Sequence, residues 1–149
     1  YFHKWVGGNF RLDTLQAAGL LVQLPYLDGW SAARRENAAR YNGHFEAVES
    51  IVTPTIAASN ETIFNQYVIR APKRDALKAH LDEAGIGNAI YYPLSLHQQE
   101  CFAELGYKAG DFPESERAAS ETIALPIYPE LTDDMIDHVA ETVVRFVQG

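Results

Sequence analysis

Apolar residues recur along this chain with two different periods, and the change between them divides it. Leu12, Leu15, Gly19, Leu20 and Val22 to Leu24 put apolar groups on most sides of a predicted first helix, which is expected to be buried or to lie in an interface. Asp13 or its neighbour caps that helix, because a short oxygen-bearing side chain satisfies orphan N–H groups. Pro25 suits the first turn of a second helix, where its missing N–H costs nothing. Leu27, Trp30, Ala33 or Arg34, Ala38, Tyr41 and Phe45 follow at helical spacing, with charges on the opposite face.

Beyond Phe45 the pattern becomes that of strands. Ile51 to Thr53 and Ile63 to Ile69 are β-branched and aromatic runs, as is Ile90 to Tyr92, which Pro93 halts. Between them Lys73 to Glu83 reads as an amphipathic helix stopped by Gly85 and Gly87. Pro113-Glu114-Ser115-Glu116 opens another helix, with acids where the macrodipole favours them. Ile123 to Leu125 is a short strand, and Leu131 to Asp134 caps a last helix running to about Phe146. The expected class is α+β: a small, mostly antiparallel sheet of three to four strands, covered by helices on one side.

Composition narrows the function. The 149 residues suit one compact domain or a piece of a larger one. The opening at Tyr1, in what reads as the middle of a motif, favours a piece. No run approaches the ~18 consecutive apolar residues of a membrane span. Cys101 is the single cysteine, so neither a disulfide framework nor a cysteine zinc site is expected, and a reducing cytoplasm fits. Residues 1–74 hold eight basic and six acidic side chains, a balance of +2; residues 75–149 hold four and fourteen, a balance of −10. So acidic a half argues against wrapping nucleic acid. Arg34, Arg35 and Arg40 are read as solvated helix-face charges.

Single residues yield little chemistry. His44, His80 and His138 lie on predicted helices with no second ligand at i+4, and no metal site is expected. Ser95 lacks a Gly-x-Ser-x-Gly setting, and Cys101 reads as a small buried hydrophobe. Two stretches stand out: Gly7 to Asp13, and Tyr91 to His97. Each places polar or cationic groups among glycines or prolines beside a predicted helix. Glycine lets a backbone approach a ligand, Asn9 offers donor and acceptor on a short arm, and Arg11 supplies a planar fork for a phosphate or carboxylate. A helix-opening turn, with Asn9 left-handed and Arg11 paired to Asp13, accounts for the first stretch equally well.

Longer motifs add a family likeness. Gly7-x-Asn9-Phe10-Arg11-Leu12-Asp13-x-Leu15-Gln16-Ala17-Ala18, then Arg34-x5-Arg40-Tyr41, resembles the pyridoxal-phosphate-dependent nucleotide-sugar aminotransferases of the DegT–DnrJ–StrS group. Tyr92-Pro93-Leu94-Ser95-Leu96-His97-x-Gln99 is similar to that group's later Tyr-Pro-x-Pro-x-His block. Gly106-Tyr107-x-x-Gly110-Asp111-Phe112-Pro113-x-x-Glu116 and Leu125 to Pro129 extend the likeness over essentially the whole chain.

The resemblance implies the C-terminal part of an aspartate-aminotransferase-like fold, with residues 1–46 as interface or bridging helices and 47–149 as the α+β core. It places the Schiff-base lysine upstream, so no catalytic residue is expected here: Lys4, Lys73, Lys78 and Lys108 lack that lysine's Ser-rich context. It implies a homodimer with shared active sites, in which Asn9 reaches the cofactor phosphate of the other subunit. Arg11, Tyr91, Tyr92 and, nearby, His97 would contact the substrate. Ile90 stands where some relatives carry His, and Ser95 where the second Pro is usual. The implied reaction moves an amino group, typically from glutamate, to a keto-sugar on a nucleoside diphosphate, with a lean towards 3-keto over 4-keto sugars. The rival expectation is a lysine-free binding or dimerisation module without catalysis, motivated by the apolar first helix.

Overall fold

The computed structural model describes all 149 residues. Its elements are α1 (Thr14–Gln23), α2 (Leu27–Phe45), β1 (Tyr67–Arg70), α3 (Arg74–Glu83), α4 (Pro113–Glu121), β2 (Thr122–Leu125) and α5 (Asp133–Gln148). Short 3-10 helices fill Leu24–Tyr26, Leu96–Gln98 and Glu100–Leu105. Pro25 therefore sits in a 3-10 turn that feeds α2, not in α2 itself.

β1 and β2 pair antiparallel, from Tyr67 opposite Leu125 to Arg70 opposite Thr122. Each outer edge gains a single bridge. Val52 exchanges backbone hydrogen bonds of 3.0 and 2.9 Å with Arg70, and Ala89 exchanges bonds of 3.2 and 2.7 Å with Ala124. Four extended segments thus lie side by side in the expected antiparallel sense, but only two are strands. Pro54 has no N–H with which to prolong the Val52 edge, and beyond Ala89 the chain turns through Tyr91 to Pro93 without further ladder bonds. Phe64 adopts a φ of 47°, which breaks the run from Ile63 so that pairing starts at Tyr67.

Tyr67 and Ile69 point into the core, whereas Val68 and Arg70 are half-buried on the other face. The helices cover the first face: Tyr41 of α2 stacks on Tyr67 at 4.9 Å, and Leu77, Leu81, Ile136 and Val143 of α3 and α5 are fully buried in the same cluster. The phenols do not enter this apolar space unpaired, since Tyr41 donates to the Pro126 carbonyl at 3.1 Å and Tyr67 to Asn42 Oδ1 at 2.7 Å. Burial pushes both phenol pKa values upward.

Charge ties α2 to α5. Arg40 grips both oxygens of Asp137 at 2.8 and 2.7 Å and reaches Asp133 at 2.8 Å, while His44 Nε2 lies 2.7 Å from Asp137 Oδ1. Arg34 donates to the Ile127 carbonyl at 2.7 Å, and Arg35 pairs with Glu61 at 3.3 Å. Arg34 and Arg40 are tertiary ties, contrary to their reading as solvated charges, whereas Arg35 keeps to an exposed pair with Glu61 as that reading has it. The helical pattern located their face but not the Arg34 and Arg40 partners, which fold back from residues more than ninety positions away. Cys101 is half-buried on a 3-10 helix, not sealed in the core.

Candidate active-site cleft and an unpartnered arm

The loop after Ala89 forms a cleft of about 480 Å³. Tyr91, Tyr92, Leu94, Ser95 and Leu96 form one wall, and Ser115, Ala118, Ala119 and Thr122 the other. The N-terminal segment closes one end through His3. Tyr1 sets its ring edge-on to Tyr91 and Tyr92, with centroids 5.7 and 5.2 Å apart. Gln99, only 3% exposed, pins this segment. Its Oε1 accepts the His3 N–H at 2.8 Å and its Nε2 donates to the Tyr1 carbonyl at 3.0 Å, while the Cys101 N–H donates to the His3 carbonyl at 3.2 Å. No lysine or arginine lines the cleft.

Tyr91 and Tyr92, both picked out from sequence, thus share one wall. His97 does not join them. Its side chain is 7% exposed, lies 4.8 Å from the Phe112 ring and meets Glu116 Oε1 at 2.9 Å. The 3-10 turn at Leu96–Gln98 rotates it away from the tyrosine wall, into a bracket beneath the loop. Glu116 also accepts the Gly110 N–H at 2.8 and 3.0 Å. That backbone donor, seconded by His97, holds the Glu116 carboxyl below its ordinary range.

Asn9 and Arg11 lie elsewhere again, on an exposed stretch that touches neither wall of the cleft. Neither makes a side-chain hydrogen bond or ion pair, so the Arg11–Asp13 pairing of a simple helix-opening turn is not formed. Asn9 is not left-handed either; Phe64 and Lys73 are the non-glycine residues with positive φ. Asp13 is engaged by α1 instead, accepting the Gln16 N–H at 2.8 Å while Gln16 Oε1 accepts the Asp13 N–H at 3.2 Å, a reciprocal capping box.

The helix so started buries none of its residues. Within this chain it is an exposed apolar rod, so of the two expectations, burial or an interface, burial within the chain is not what is seen. Phe10 is 91% and Leu15 86% exposed, and Trp5, Leu21 and Val22 are similarly open. An apolar surface on this scale marks an interface. Asn9 and Arg11 are displayed at its edge.

Residues 1–144 match the DegT/DnrJ/EryC1/StrS aminotransferase family. The chain belongs to this family. It is 47% identical over 148 residues to the pleiotropic regulatory protein of Geobacillus stearothermophilus, covering 98% of this chain and 40% of that protein. It is 34% identical over 153 residues to the dTDP-3-amino-3,4,6-trideoxy-α-D-glucose transaminase of Streptomyces venezuelae, covering all of this chain and 40% of that one. Among solved structures, S. venezuelae DesV in complex with a ketimine intermediate superposes with a TM-score of 0.89 at 31% identity, over all of this chain and 40% of DesV. The chain thus spans about 40% of the length of these relatives.

The family sets a test for the residues present. A phosphorylated aldehyde cofactor needs a covalent lysine anchor and donors for its phosphate. No lysine lines the tyrosine cleft, and Lys78 is paired with Asp82 at 2.8 Å. A donor is present: the Asn9 amide has no partner in its own chain and lies on an exposed stretch. An amide of this kind suits a phosphate oxygen. Sequence reasoning missed Gln99 as a clamp, His3 as a cleft residue and Glu116 as a bracket. Gln99 and His3 meet across distant positions, whereas Glu116 bonds the nearby Gly110 and His97; Gln99 and Glu116 fell within the quoted motifs, and His3 lay outside them.

Proposed function

We propose that the protein to which this chain contributes is a pyridoxal-phosphate-dependent aminotransferase that moves an amino group from glutamate to a keto-sugar carried on a nucleoside diphosphate. In this reading residues 1–46 are the bridging helices and 47–149 the α+β core of its smaller domain. The observation that carries the reading is the pairing of a tyrosine-walled, cation-free cleft with an arm whose Asn9 and Arg11 have no partner in their own chain. Two copies sharing their active sites would give that arm its targets.

Each group then has a task. The Asn9 amide N–H meets a phosphate oxygen in the other subunit's site, across the surface formed by α1. Arg11, a planar fork, binds the diphosphate or an acidic sugar. Tyr91 and Tyr92 pack their rings along the sugar and keep water from it. His97 and Glu116 hold the loop that presents them. When bound, pyridoxal phosphate supplies the electron sink for amino-group transfer. Its covalent anchor comes from the portion of the protein outside these 149 residues.

A 3-keto substrate is favoured over a 4-keto one, in keeping with the 3-amino sugar named for the S. venezuelae relative. We read the enzyme as cytoplasmic. The single cysteine of these 149 residues is a free thiol, which suits a reducing compartment, and no helix among them is long and apolar enough to cross a membrane. The test is to incubate the full-length protein with pyridoxal phosphate, glutamate and a panel of dTDP- and UDP-linked 3-keto and 4-keto sugars. Mass spectrometry of the sugar nucleotides then seeks the amino product. An amino sugar that forms only with both cofactor and glutamate supports the reading; no product across the panel overturns it.

A further inference from the structure

Two buried side-chain polar atoms in the chain have no hydrogen-bond partner, Asn88 Oδ1 and Ser95 Oγ. Ser95 is 5% exposed and belongs to the tyrosine wall of the 480 Å³ cleft. Folding gives no reason for its hydroxyl. Ser95 stands at the N-cap of the 3-10 turn Leu96–Gln98, yet its side chain makes no capping bond. Its backbone, at φ −63° and ψ 147°, is one that proline adopts without strain. Its N–H donates no backbone hydrogen bond. A buried hydroxyl that serves neither cap nor turn costs stability unless something else bonds it.

The composition of the cleft says what that something is. Its walls carry two tyrosine rings, Leu94, Leu96 and the hydroxyl-bearing Ser95, Ser115 and Thr122, with no lysine or arginine. Thr122 Oγ1 is already spent on the Ala118 carbonyl at 2.7 Å. A diphosphate would find no lysine or arginine here, whereas an uncharged ring bearing hydroxyl or acetamido groups would find aromatic faces and the hydroxyls of Ser95, Ser115 and the two tyrosines, of which Ser95's is the one both buried and unpaired. Rotation about the single Cα–Cβ bond carries Oγ between staggered positions, so the hydroxyl can follow such a group.

Resting on the function proposed above, we propose that Ser95 is a specificity-determining residue whose Oγ hydrogen-bonds an uncharged substituent of the ligand's sugar ring. It does not bind the nucleoside diphosphate. Sugars lacking that substituent leave the hydroxyl unpaired and are discriminated against.

The test uses the full-length enzyme with its cofactor, and isothermal titration with four probes: UDP-N-acetylglucosamine, dTDP-glucose, UDP and dTDP. Ser95→Ala and Ser95→Pro both delete the hydroxyl, and the proline variant keeps the observed backbone angles. Both are expected to weaken whichever sugar nucleotide binds the parent by about three- to tenfold, the worth of one hydrogen bond. Affinity for UDP and dTDP should stay unchanged, and the unfolding midpoint of the ligand-free enzyme should rise, because the unpaired buried hydroxyl is gone. Equal weakening for sugar nucleotide and nucleoside diphosphate, or no weakening for either, overturns the assignment to the sugar. If the parent binds neither sugar nucleotide, this inference fails, while the functional reading stands or falls on the amino-transfer assay with keto-sugars.

Discussion

Gln99 holds His3 in place across ninety-six positions of sequence, with its Oε1 2.8 Å from the His3 N–H. The same amide takes the Tyr1 carbonyl at 3.0 Å, so one buried side chain decides where the N-terminal segment crosses the tyrosine loop. Gln99→Leu is expected to remove both bonds and cost about 1–3 kcal/mol, the net worth of two half-buried hydrogen bonds. Hydrogen exchange in the full-length protein checks this. The amides of His3 and Cys101 should exchange faster in the variant while those of α5 keep their protection. Unchanged exchange at His3 would remove Gln99 from the role.

Asn9 supports no contact in its own chain, so its loss should not unfold it. In the full-length protein Asn9→Ala is expected to release pyridoxal phosphate on dilution and dialysis several times faster than the parent, with the unfolding midpoint of the cofactor-free form unchanged. Equal cofactor retention in both proteins would take Asn9 out of phosphate binding.

Acid should loosen the α2–α5 tie. Arg40 first and His44 second hold the Asp137 carboxyl down at about 2, below its ordinary value of 3.8. A depressed carboxyl contributes stability above its unfolded pKa, and that contribution fades as pH falls through the folded one. The parent should therefore exceed Asp137→Asn in unfolding midpoint at pH 6, with the gap closing between about pH 4 and 2. A gap that stays constant over that range would show that Asp137 acts only through its shape.

Leu81 is fully buried between α3 and the rest of the core. Leu81→Ala should cost about 2–5 kcal/mol through lost transfer energy and the cavity left behind, read by denaturant unfolding. A cost below about 1 kcal/mol would mean that the core closes over the gap.

Helices were legible wherever a local device starts or stops them. Asp13 caps α1, Pro113 opens α4, Thr132 accepts the Met135 N–H ahead of α5, and Gly85 takes a φ of 70° just beyond α3. Strand length was not legible. Ile51 to Thr53 and Ile90 to Tyr92 have the composition of strands, but pairing depends on a partner across space and each side contributes one bridge. The same limit applies to the site. Tyr91 and Tyr92 could be named because aromatic residues beside a proline stand out in a sequence. Gln99 and the partners of Arg34 and Arg40 could not, since their worth comes from groups brought back from far along the chain, nor could Glu116, whose bonds to Gly110 and His97 depend on how the loop between them turns. His97 was noticed for its chemistry, while its place under the loop is decided by Glu116.

The reciprocal cap of α1 has a consequence for assembly. The bonds between Asp13 and Gln16 fix where the rod begins, but ten residues with none buried hold a helix only marginally in water. Whatever second body settles on its greasy flank therefore orders the rod as well as covering it, and part of the binding energy goes into that ordering. Produced apart from that body, the piece is expected to cling to itself and to any hydrophobic surface in the tube.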